Sequence, residues 1–63
     1  MYIVTPITAK AKQWVDDNAG IEDWQWLGGG FAVDHHFIDD LIDGMIENEL
    51  LPKQDFEVMH FGG

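Results

Sequence analysis

The chain has no cysteine, no serine and no arginine. Without cysteine there is neither a disulfide staple nor a thiolate metal site, a composition that fits a reducing compartment. Without serine or cysteine, the two commonest acyl-transfer nucleophiles are gone. Thr5 and Thr8 are the only threonines, and both fall near the predicted start of the first helix. Positive charge is scarce: three lysines face twelve acids, for a net charge of −9. Phosphate binding needs clustered cations, so direct nucleic-acid binding is excluded as a first reading. An anionic membrane surface is disfavoured for the same reason. No apolar run approaches the roughly 20 residues of a membrane span. The opening MYIVTPITAKAK lacks the basic segment and long apolar core of a signal peptide. These absences together predict a cytoplasmic protein.

What is present predicts a folded one. The 63 residues are 46% hydrophobic with eight aromatics, far from the composition of disordered chains. A chain this short makes one domain with a small core, marginal alone, and small scaffolds commonly gain stability from a partner.

Tyr2 to Val4 reads as a short strand. Thr5-Pro6 carries the signature of a helix start, a threonine cap followed by proline at the first helical position. Ile7, Ala11, Trp14 and Val15 recur at helical spacing, and Asn18-Ala19-Gly20 supplies a stop. The first helix is therefore predicted from about Pro6 to Asn18. Trp24 and Trp26 then share one strand face, as do Phe31 and Val33 beyond Gly28-Gly29-Gly30. This fits a hairpin with a three-residue glycine loop, with a single strand bent by a glycine bulge as the competing reading. Asp34 is a good cap for a second helix. Phe37, Ile38, Leu41, Ile42, Met45 and Ile46 form its apolar stripe, and Leu50-Leu51-Pro52 closes it. Asp55 to Phe61 reads as a final strand. The order β-α-β-β-α-β predicts an α+β domain over residues 1–63. It would be a miniature ferredoxin-like arrangement, with two helices on one face of a three- to four-stranded antiparallel sheet.

The segment FIDDLIDGMIENE holds five acids, Asp39, Asp40, Asp43, Glu47 and Glu49, and no base. At 100° per residue His36, Asp40, Asp43 and Glu47 fall within roughly 60° of one another, opposite the apolar stripe. Like charges at i, i+3 and i, i+4 destabilise a helix by a few tenths of a kcal/mol per pair. Solubility alone can account for such a face. A row of carboxylates can also stand in for phosphates, since Asp40 to Glu47 spans about 10 Å of helix axis, and would draw a basic partner. Asp39, Asp40, Asp43, Glu47 and Glu49 are therefore the predicted partner-binding residues. In size, charge and compactness the whole chain resembles the small acidic inhibitors encoded by bacteriophages and mobile elements. That resemblance implies blockade of a restriction, CRISPR or other DNA-handling complex by a DNA mimic.

Other constellations point elsewhere. His36 with Asp40 and Asp43 has spacing a helix could use for a zinc or manganese site, but two-ligand spacings arise often by chance, and no metal or cofactor is expected. No carboxylate pair is accompanied by a nucleophile motif, so no catalytic activity is expected. Gly28-Gly29-Gly30 lacks the spacing of the phosphate-binding loops and reads as a turn. The ending DFEVMHFGG resembles the tails of ubiquitin-like proteins and the related sulphur carriers. In those families the terminal glycine carboxylate is adenylated, which would assign that role to Gly63 after Gly62. They open with a strand hairpin, however, where this chain offers only Tyr2 to Val4. Trp14, Trp24 and Trp26 are expected in the core, and any tryptophan left exposed would be a hot spot for a partner or a homodimer. A small assembly subunit that dimerises through apolar surface is the third reading.

Overall fold

The computed structural model describes residues 1–62. Its elements run β1 (Tyr2–Pro6), α1 (Ala9–Asn18), a 3-10 turn (Asp23–Gln25), β2 (Trp26–Leu27), β3 (Gly30–Val33), α2 (Ile38–Glu47) and β4 (Phe56–His60). The strands form one sheet in the order β2-β3-β1-β4, with every neighbouring pair antiparallel. This is the expected α+β fold in its four-stranded form.

Strand alternation decides what lies between the layers. Val4 pairs with Phe31 on one side and Val58 on the other, and these side chains share the face toward the helices. Val4, Phe31, Val33 and Phe56 from the sheet join Ala11 and Val15 of α1, Ile38, Leu41 and Met45 of α2, and Leu50 in a single buried cluster. Burying a side chain such as Phe31 or Phe56 contributes about 2–3 kcal/mol. The opposite face, with Ile3, Thr5, Ala32, Glu57 and Met59, has no helix over it, and Met59 is 54% exposed. Gly30 sits on that open face because nothing larger fits. A Cβ there would lie 2.6 Å from Thr5 Oγ1 and 3.0 Å from the Val4 carbonyl oxygen.

The hairpin reading holds, and the bulge does not. β2 and β3 pair through Trp26↔Phe31 and Leu27↔Gly30, so the loop is the two residues Gly28-Gly29 rather than the expected three, because Gly30 is taken into the ladder. Gly28 takes φ 68°, a left-handed conformation open to glycine at no steric cost.

The start of the first helix is corrected. Thr5 and Pro6 belong to β1, opposite Glu57 and Phe56. The cap is Thr8, whose Oγ1 accepts the Ala11 amide at 3.2 Å. Proline is tolerated in this central strand because its nitrogen faces the β3 side, where β3 has already ended at Gly30. The second helix also begins later than Asp34 suggested. Asp34 caps a preceding turn, its Oδ1 accepting the amides of His36 and Phe37 at 2.9 and 3.1 Å, and α2 follows from Ile38. Phe37 and Ile46, placed by periodicity in the buried stripe, are about half exposed (45% and 47%).

Helix α2 ends in a Schellman motif. Leu50 donates to the Met45 carbonyl and Glu49 to that of Ile46, at 2.9 and 3.0 Å. Glu49 holds φ 67°, at the position glycine usually occupies. The apolar contact that accompanies this motif is present, since Met45 and Leu50 are both fully buried. Gly44, a weak helix former, faces the other helix. A Cβ on it would meet Trp14 at 3.2 Å, so its absence lets the two helices approach through the indole.

Candidate interaction surface

On α2 the burial of Ile38, Leu41 and Met45 fixes which way the acids point. A helix that turns this stripe inward must turn Asp39, Asp40, Asp43 and Glu47 outward, and all four are exposed. Asp39 and Asp40 occupy the first turn, where the helix dipole favours negative charge, whereas Glu47 lies at the disfavoured end. Among the described residues the one ion pair joins Lys10 Nζ to Glu49 Oε2 at 3.8 Å. Lys10 also donates to the Glu49 carbonyl at 3.4 Å. Glu49 therefore stands apart from the other four predicted residues: it lies beyond the helix, in the cap, and is tied to α1. The carboxylates of Asp39, Asp40, Asp43 and Glu47 have no ion-pair partner among the described residues.

Asp55 carried no functional expectation, and it is the one buried acid among the described residues. Only 8% exposed, it accepts the Leu51 amide at 2.8 Å through Oδ2 and the Thr8 hydroxyl at 2.9 Å through Oδ1. Its carbonyl accepts the Ile7 amide at 2.7 Å. The Leu51 amide, then the Thr8 hydroxyl, hold its carboxyl below the ordinary value of 3.8, with a smaller contribution from Lys10; burial opposes them and loses. Asp55 thus ties the entry of β4 to the start of α1.

The histidines do not sit as a helix would place them. His35 and His36 lie in the turn before α2, and their rings are 4.1 Å apart. Among the described residues no group of three histidine or acidic side chains is arranged to hold a metal ion. His36, Asp40 and Asp43 therefore do not converge as their spacing allowed.

The tryptophans divide, which corrects the expectation of three core residues. Trp14 is half buried against Gly44. Trp26 packs edge-on against Phe31, centroids 5.2 Å apart, and stays 37% exposed. Trp24 is 80% exposed because Asp23–Gln25 forms a 3-10 turn rather than a strand. A capping box closes that turn, in which the Glu22 amide donates to Gln25 Oε1 at 3.1 Å. Beside Trp26, a shallow groove of about 530 Å³ runs along α1, lined by residues including Ala9, Lys12 and Asp16.

No helix among the described residues is long and apolar enough to cross a membrane. Gly62 follows β4 without regular structure, and Gly63 lies outside the described residues. β1 passes straight into α1. No protein-family model matches the chain, and comparison with curated proteins and with solved structures yields no match either.

Proposed function

We propose that the protein is a small acidic protein-binding module that docks the outer face of α2 on a basic surface of a nucleic-acid-handling complex. The observation that carries this reading is the row Asp39, Asp40, Asp43 and Glu47: exposed together on one helix face, with no ion-pair partner among the described residues. Such a row costs helix stability and raises the rate of encounter with a cationic partner. Asp40 to Glu47 spans about 10 Å of helix axis, comparable with one or two nucleotide steps, so the face suits a channel that otherwise holds phosphates. On this reading the protein acts as an inhibitor of phage or mobile-element type, and the blocked complex is a host defence or restriction system.

The test uses an amino-terminally tagged protein retained on host lysate and eluted with a salt gradient. A nucleic-acid-handling partner should be released by moderate salt. Reversing Asp40, Asp43 and Glu47 to lysine should abolish retention while far-UV circular dichroism shows the fold intact. Retention of the triple variant at wild-type strength would rule the α2 face out. Deleting Gly62 and Gly63 should leave retention unchanged, whereas a carrier activated at its tail would lose its partner.

A further inference from the structure

The two edges of the sheet are finished differently. At one edge β2 covers only part of β3, and Gln25 Nε2 reaches over to donate to the Ala32 carbonyl at 3.2 Å. At the other edge the turn before β4 covers only its first residue, with the Lys53 amide donating to the Phe56 carbonyl at 2.7 Å. Beyond Phe56 the edge is open.

The ladder to β1 shows which groups are free. The Ile7 amide donates to the Asp55 carbonyl and the Phe61 amide to that of Met1, in the same register that pairs Ile3 with Met59. In an antiparallel pair the bonding alternates, so Asp55, Glu57, Met59 and Phe61 turn their backbone groups toward β1. Val58 and His60 turn theirs outward. The side chains here are uncovered as well: Val58 is 36%, Met59 54% and Phe61 51% exposed. None of the usual edge blockers, a proline, a lysine or a bulge, lies between Glu57 and Phe61.

We infer that β4 is a self-association edge, and that two copies join antiparallel through it into one eight-stranded sheet. The occupant is specified by a match between the edge and itself. Centring the two-fold axis on Met59 places Val58 opposite His60 of the second copy and His60 opposite its Val58. All the outward amides and carbonyls of both residues are then bonded. Centring on Val58 instead would pair His60 with Phe56, whose carbonyl Lys53 already holds. The Met59-centred register also puts Gly62 of the second copy opposite Phe56, where the turn crowds the edge. Charge points to the same strip. From Val58 to Phe61 there is no acid, and Glu57 is the only acid on β4, so copies carrying −9 each can approach here without stacking acids. The strip is far smaller than the 20–30 residues a side of a standard interface. The dimer is therefore concentration-dependent, and because the copies repel, salt strengthens it. Docking of the acidic helix on a basic partner has the opposite salt dependence, so failure of either idea leaves the other standing.

The test is sedimentation equilibrium across a concentration series at low and high salt, with three variants. The wild-type mass should rise from 7.2 kDa toward twice that value, more steeply at high salt. Val58→Pro removes an outward amide that β1 does not use; it should stay monomeric with its thermal transition retained. Met59→Cys places two thiols at a non-hydrogen-bonded pair, with Cα atoms about 4.5 Å apart, within disulfide reach. It should oxidise readily to a covalent dimer, whereas Val58→Cys, offset by two residues from its twin, should not. A wild-type mass fixed at 7.2 kDa in all conditions, or a dimer that survives in folded Val58→Pro, would overturn the proposal. Faster closure of Val58→Cys than of Met59→Cys would overturn it too. Should Val58→Pro fail to fold, the two cysteine variants decide.

Discussion

In Asp55 both carboxylate oxygens are engaged, one by the Leu51 amide and the other by the Thr8 hydroxyl. On α2, Asp39, Asp40, Asp43 and Glu47 carry the same chemical group with no ion-pair partner among the described residues. The first arrangement stabilises the fold, because the hydrogen bonds exist only when strand, turn and helix are assembled. The second weakens it through repulsion along one helix face. The contrast teaches that the acidity of this chain is two separate properties. The buried acid is architectural, while the α2 row is tolerated by the architecture and needs a reason outside it. Glu49 sits between these extremes, exposed yet held to α1 by Lys10.

Substituting Asp55 by alanine should give the largest effect. It strands the Leu51 amide and the Thr8 hydroxyl together, and the expected outcome is loss of most of the cooperative thermal transition, read by circular dichroism. Acid sharpens the same side of the contrast. A carboxyl whose folded value lies below 3.8 contributes stability that is fully present above that value. The contribution is lost as pH falls through the depressed folded value. Wild-type unfolding free energy should therefore drop as pH falls below about 4, and Asp55→Asn should show a smaller drop across that window. A pH profile identical in the two proteins would remove Asp55 from its structural role.

The other side of the contrast predicts gains. Glu49→Gly relieves a left-handed backbone position and should stabilise the protein by about 1 kcal/mol in urea unfolding, even though it deletes the Lys10 contact, since exposed ion pairs are worth little. Asp43→Lys converts the repulsions with Asp39, Asp40 and Glu47 into attractions and should stabilise by about 0.5 kcal/mol. The same variant should weaken salt-sensitive retention of a basic partner. Better folding combined with poorer binding is the signature of an acid kept for a partner; better folding with unchanged binding would mean the face serves solubility alone.

Local signals in the sequence were enough for much of this molecule. The apolar stripe of α2 has the helical period, so its existence and its acidic outer face could be read directly. The three glycines between aromatic runs marked the hairpin. What depended on distant contacts could not be read. Thr5 and Thr8 are both suitable caps, and the choice was made by Thr5 pairing with Glu57 and Thr8 with Asp55. Trp24 has the alternation of a strand residue, but the Glu22–Gln25 capping box bends its segment into a turn and leaves the indole in solvent. The local pattern makes Asp55 the first residue of a strand, because nothing local distinguishes an acid with a distant donor such as Thr8 from one with none. His36 has helical spacing with Asp40 and Asp43, but Asp34 accepts amides only two and three residues ahead and holds it in a turn before the helix.

The central position of β1 bears on how the chain is made. Its neighbours in the sheet are β3 and β4, so the first strand of the domain pairs with its last. Before residues 56–60 are available, one edge of β1 is unsatisfied, α1 lacks the Thr8–Asp55 tie, and the buried cluster lacks Phe56. Folding cannot proceed stepwise behind the ribosome. It must await nearly the whole domain and then close a loop of most of its length, a topology associated with slower folding.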